Sequence, residues 1–125
     1  MTARGDGMDG PVSFETFWTW LLKHHNCILR AGTEDAVLYD DDDLHWHFAQ
    51  EDGSTWVVQL YRGKQIAAEL FVDPARVSYV QVVPGEEEVS FELVQEDEHG
   101  AYVAYLFVLS HGFDSEDRPE RPRVH

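Results

Sequence analysis

Cysteine is almost missing from this chain: Cys27 is the only one, so no intramolecular disulfide is available and packing alone must hold the fold. Lysine is nearly as scarce, with Lys23 and Lys64 only, and Lys and Arg together number 9 against 24 Asp and Glu. The formal charge of −15 opposes phosphate backbones and anionic lipid surfaces, both of which need clustered cations to displace counterions. Nucleic acid and membrane surfaces are therefore excluded as expected partners. Long apolar runs are missing too. The longest, residues 101–109, is about half of what a membrane-spanning helix needs. Residues 1–12 carry neither the basic segment nor the apolar segment of a secretory signal, so the expectation is a cytoplasmic protein. There is no Gly-x-Ser-x-Gly elbow, phosphate loop, dinucleotide fingerprint or paired-cysteine zinc spacing, so no enzyme reaction has an anchor.

What is plentiful is material for a core. The 125 residues are 43% hydrophobic and 13% aromatic, with four Trp, five Tyr and seven Phe, which suits one folded domain. Phe14, Phe17, Trp18, Leu21, Leu22 and His25 recur at helical spacing and line one face of an α-helix. Ser13 is placed to cap its start, Glu15 complements the positive end of its dipole, and Asn26 marks its expected end. The period then shortens to two. Leu44, Trp46 and Phe48 alternate with His45 and His47, and Trp56, Val58 and Leu60 alternate with Val57, Gln59 and Tyr61. Further strand runs cover residues 66–72, 77–83, 89–94 and 102–109, with shorter ones at 27–31 and 36–39.

All the connections are too short for a parallel crossover, so neighbouring strands run antiparallel. The expected fold is α+β: one N-terminal amphipathic helix packed on a curved antiparallel meander or partial barrel of six to eight strands. Residues 1–12, with Gly5, Gly7, Gly10 and Pro11, read as a flexible leader, residues 13–113 as the domain, and residues 114–125 as a disordered tail. The run at 102–109 is apolar on both faces and belongs in the middle of a sheet.

In such a meander the turns alternate between the two ends of the sheet. One end then gathers Glu34, Asp35, Glu51, Asp52, Asp73, Arg76, Glu96, Asp97 and Glu98. The other gathers Asp40, Asp41, Asp42, Asp43, Arg62, Lys64, Glu86, Glu87 and Glu88, so both ends are acidic. Acidic turns keep a β-rich protein soluble, and they also speed encounter with a basic protein. The four consecutive aspartates lack the spaced ligands, central glycine and closing glutamate of a calcium loop, so they read as a solvated turn. Trp20 falls off the main helical stripe, and if partly exposed it is an aromatic anchor beside the acidic surround.

His45 and His47 are two apart on a strand and project from one face. The stretch His45-Trp-His47-Phe-Ala-Gln-Glu51 resembles part of the first metal motif of the cupin family, small β-barrels whose members often coordinate a divalent ion. The resemblance covers about seven residues, and no second motif follows. It implies a divalent transition metal held by His45, His47 and Glu51, with His111 as a further ligand. Against that, a core-facing Leu44, Trp46 and Phe48 turns both histidines outward. Cys27 lies near His24 and His25 in sequence, but a nucleophilic pair needs an orienting third group that nothing there marks.

The reading that follows is a non-enzymatic, acidic interaction module that docks a basic protein, an immunity-like inhibitor of a basic toxin being one case. Its docking residues are Asp40, Asp41, Asp42, Asp43, Glu86, Glu87, Glu88 and Trp20. The alternative is the cupin-like metal-binding domain or metal-dependent enzyme.

Overall fold

The computed structural model describes residues 11–51 and 54–113. Residues 1–10 of the expected leader, the expected tail from residue 114, and Asp52 and Gly53 lie outside the described residues. Helix α1 runs over Phe14–Leu22, and the Ser13 side chain accepts a hydrogen bond from the Thr16 amide at 3.1 Å, as its capping position implies. The helix stops earlier than Asn26. The Lys23 amide donates to the Trp20 carbonyl at 3.1 Å and the His24 amide to the Leu21 carbonyl at 2.8 Å, so the last turn tightens to i→i−3 bonding. The His24 ring then closes on the Trp20 carbonyl through Nδ1 at 2.8 Å, and residues His25–Cys27 form a separate 3₁₀ turn.

Eight strands follow: β1 (Ile28–Gly32), β2 (Val37–Tyr39), β3 (Leu44–Glu51), β4 (Thr55–Arg62), β5 (Gln65–Val72), β6 (Tyr79–Pro84), β7 (Val89–Asp97) and β8 (Gly100–Leu109). They form two antiparallel sheets instead of one curved meander, and neither closes into a barrel. The larger has the order β2-β1-β8-β7-β6 and the smaller the order β3-β4-β5. The first and last strands pair, so the strand that is apolar on both faces does occupy the centre of the larger sheet. Arg62 pairs with Gln65 across a two-residue turn, and Gly63 supplies the positive φ of 63° there. Val12, the last residue of the expected leader, exchanges two backbone bonds with Val80 on the edge strand β6.

One core joins both sheets to the helix. Phe17 meets Phe91 on β7 and Phe107 on β8 at ring distances of 5.0 and 5.6 Å. One residue on, about 100° round the helix, Trp18 reaches Phe48 on β3 and Trp56 on β4 at 5.3 and 5.6 Å. The helix therefore seals the gap between the sheets with aromatic rings, each burying a large apolar area. Among the described residues no helix is long and apolar enough to cross a membrane.

β1 covers only part of its neighbour. Its pairing with β8 runs from Ile28 opposite Leu109 to Gly32 opposite Leu106, while β7 pairs along the whole of β8. Among the described residues, no strand pairs with residues 100–105 on the side of β8 away from β7.

Candidate functional site

Antiparallel pairing puts the end of β2, the start of β1, the end of β8, the start of β7 and the end of β6 at one end of the five-stranded sheet. The turn of Asp40, Asp41, Asp42 and Asp43 and the turn of Glu86, Glu87 and Glu88 therefore share that end, as alternation of turns implies. Asp40 to Asp43 are all exposed, and so are Glu86 and Glu87. Two of the aspartates also build the turn. The Asp40 carboxylate accepts from Trp46 Nε1 at 3.2 Å, which ties the turn to the buried indole, and the Asp41 carboxylate accepts from the Asp42 amide at 2.6 Å.

Glu88 has a different role from its neighbours. It is half-buried, and both its oxygens take the Arg30 guanidinium, Nη2 to Oε2 at 2.8 Å and Nη1 to Oε1 at 3.3 Å. This two-pronged pair crosses from β1 to the start of β7, over β8. The hydrogen bond from Arg30 holds the Glu88 carboxyl below the usual range, and the same bond raises Arg30. Within the hairpin, Glu88 is thus already paired inside the protein, and Glu86 and Glu87 at the tip are left to join the exposed aspartates.

Trp20 is not the partly exposed anchor its position off the helical stripe implies. It is 8% exposed, stacked on His24 at 4.5 Å and packed edge-on against Phe113 and His111 at 4.8 and 5.8 Å. The segment after β8 folds back across the helix and buries the ring, a long-range contact that helical periodicity does not register. Its indole Nε1, like that of Trp18, is buried with no acceptor among the described residues. Only one border of the ring reaches a shallow, open hollow beside Glu15, Thr16, Thr19 and Lys23.

His111 belongs to this cluster and not to the other histidines of the expected metal set. Its Nε2 lies 3.1 Å from Cys27 Sγ, and its Nδ1 lies 3.2 Å from the Gly112 carbonyl. The arrangement fits an Nδ1–H donated to Gly112 and a thiol proton donated to Nε2. The Ser110 amide donates to the Cys27 carbonyl at 3.0 Å, so side-chain and backbone bonds together pin the end of β8 to the turn after the helix. A carbonyl stands where a nucleophilic pair has an orienting side chain. A sequence separation of 84 between Cys27 and His111 hides this pair from sequence reading.

His45 and His47 do share one face of β3, and that face points outward, as the core-facing Leu44, Trp46 and Phe48 require. Both are exposed, opposite Tyr61 and Gln59 on β4, with the His47 ring edge-on to Tyr61 at 5.6 Å. Glu51 lies exposed at the far end of the same strand. Among the described residues no group of three or more His, Cys, Asp and Glu side chains is placed to hold a metal ion. The four-residue metal set of the cupin-like reading is therefore not assembled. Comparison with family models, curated proteins and solved structures finds no match for this chain.

Proposed function

We propose that the chain is a non-enzymatic interaction module that docks a basic protein through the acidic end of its five-stranded sheet. The observation that carries this reading is the placement of two exposed acidic turns, Asp40 to Asp43 and Glu86 with Glu87, at the same end of one sheet. Carboxylates gathered on a rigid sheet end raise the local cation concentration and steer a positively charged partner, at rates that fall with salt. The excess of 24 acidic over 9 basic side chains argues against nucleic acid as that partner. The same reading assigns the protein to the cytoplasm, where its single thiol stays reduced.

The test is retention of basic proteins from a host lysate on the immobilised chain at low salt, with elution as salt rises. Changing Asp40, Asp41, Asp42 and Asp43 together to Asn removes four charges and leaves an amide oxygen to accept from Trp46 Nε1. The expected result is a retained basic protein that this variant releases. Retention that the variant leaves unchanged, or none in the parent chain, overturns the reading.

A further inference from the structure

We infer that the open edge of β8 takes up an extended, lysine- or arginine-bearing segment of a partner as an added strand. This rests on the basic-partner reading and names a second contact, at the opposite end of the sheet from the aspartate turn. β1 leaves β8 at Leu106, because the chain reverses after Gly32 into the turn that leads to β2. Beyond that point β8 continues for six residues with β7 on one side only. Opposite β7, alternate residues of β8 point their N–H and C=O groups away from the sheet, which is a template for another strand.

The template has a defined length. Leu93 pairs with Tyr105 and Val94 with Val103, so Ala104 is the extra residue of a β-bulge. The bulge interrupts the edge, and regular pairing is available along residues 100–103, about 13 Å of strand. All four are exposed, Tyr102 at 46% and Val103 at 38%. The lane next to them is the one that β1 vacates.

At the inner end of that lane is a hollow of about 240 Å³ lined by Thr33, Glu34, Glu92, Val103, Tyr105 and Leu106. Its lining combines Val103 and Leu106 with two carboxylates. Among the described residues neither Glu34 nor Glu92 has an ion-pair partner. That combination suits a lysine or arginine, whose aliphatic stem covers apolar surface while its cation meets a carboxylate. Strand addition supplies the rest of the recognition: backbone bonds give affinity, and alternate side chains, one of which falls at the hollow, give specificity. Arg76, which lies over the Tyr105 ring, is held by Gln95 at 3.3 Å and does not line the hollow.

Charge also selects against a second copy of this chain. Two copies paired edge to edge along residues 100–103 would bring together two chains that each carry a formal charge of −15, and these repel. A basic strand meets the opposite field.

The experiment is fluorescence anisotropy on the full chain at low salt with a labelled short peptide alternating lysine and valine. The comparators are a glutamate–valine peptide and a lysine–valine peptide N-methylated at every amide, which keeps its charge and has no N–H on either edge with which to complete a ladder. The expected result is binding of the first peptide only, weakened about tenfold or more by Glu34→Lys with Glu92→Lys. Hydrogen exchange is expected to slow at residues 100–103 and not at the Asp40 turn. The N-methylated comparator leaves the protein untouched, so the conclusion does not depend on the variant's folding. Equal binding of the methylated peptide overturns strand addition and leaves the basic-partner reading standing. So does binding that is lost in the four-Asn variant and kept in the Glu34 and Glu92 variant. Failure of every cationic peptide overturns this inference, and the basic-partner reading falls with it only if lysate retention also fails. A concentration-dependent dimer protected at residues 100–103 overturns it in favour of self-pairing.

Discussion

The two halves of β8 carry much the same kind of sequence and meet opposite surroundings. Tyr102 and Val103 are exposed, while Phe107, Val108 and Leu109 are wholly buried, although all five are large apolar residues on one strand. The difference is made by the neighbours. Over residues 106–109 the strand has β1 on one side, β7 on the other, and the Phe17 ring above Phe107. Over residues 100–105, β7 is the only strand among the described residues that pairs with it. A strand's own apolar pattern states what it can bury, and whatever packs beside and above it decides how much of it is buried: Ala104 and Tyr105 are buried beyond the reach of β1, while Tyr102 and Val103 are not. That is why the first half remains available for a partner and the second half belongs to the core.

The largest test of this division is a pair of truncations. Phe107→Ala removes a buried ring in contact with Phe17 and Trp18 and should lower the unfolding free energy by about 3–5 kcal/mol. Val103→Ala on the open half should stay within about 0.5 kcal/mol. Urea denaturation of both variants gives the comparison directly, and similar losses would erase the distinction between the halves. The next test is aimed at the reason β1 stops. A Cβ on Gly32 would collide with the Ala36 carbonyl oxygen and stand 2.7 Å from the Val37 Cα, both backbone atoms. Gly32→Ala must therefore push the β1–β2 turn apart, with an expected loss of about 1–3 kcal/mol and faster amide exchange in β1 and β2 than in β7. Smaller still is the contribution of the helix cap. Ser13→Ala removes the acceptor for the Thr16 amide, loosens the helix that covers the buried half, and should cost about 1 kcal/mol in the same denaturation assay.

All eight strands are legible in the sequence, because alternation and turn residues act over a few positions. The helix start is legible for the same reason, since Ser13 and Glu15 are local signals. What is not legible is the partition into two sheets, which depends on β1 pairing with β8 across most of the chain. Trp20 shows the same limit. Its position on the helix is readable, but its cover comes from His111 and Phe113, about ninety residues further on. At the acidic end, the shared placement of the two turns follows from antiparallel alternation, and it holds. The loss of Glu88 to Arg30 does not follow, because nothing local links residues 58 apart. The hollow at the β8 edge is hidden for the same reason: Glu34, Glu92 and Val103 come together only once β1 is seen to fall short.

The Arg30–Glu88 pair gives the finest test, because it crosses the buried half of β8 and has no counterpart on the open half. Arg30 is opposite Val108, Val108 is opposite Ser90, and Glu88 precedes Ser90 by two residues, so the ion pair closes over a valine that is itself fully buried. The Arg30 hydrogen bond lowers the Glu88 pKa in the folded chain relative to the unfolded one. The unfolded state then binds the proton more readily, and stability rises with pH through the carboxylate range. The contribution is fully present above the ordinary glutamate value of about 4.3 and is lost as pH falls through the lowered folded value. Both side chains are more than a third exposed or close to it, so solvent screens the pair and the effect is small. Glu88→Gln should therefore lower the thermal midpoint slightly near neutral pH and leave it unchanged in strong acid, where the parent carboxyl is already protonated. The Glu86→Gln change at the exposed hairpin tip, away from Arg30, should leave the midpoint near neutral pH where it is. A Glu88 effect that persists undiminished in acid would mean that the side chain acts by covering Val108, and that the charge contributes nothing to closing the buried half.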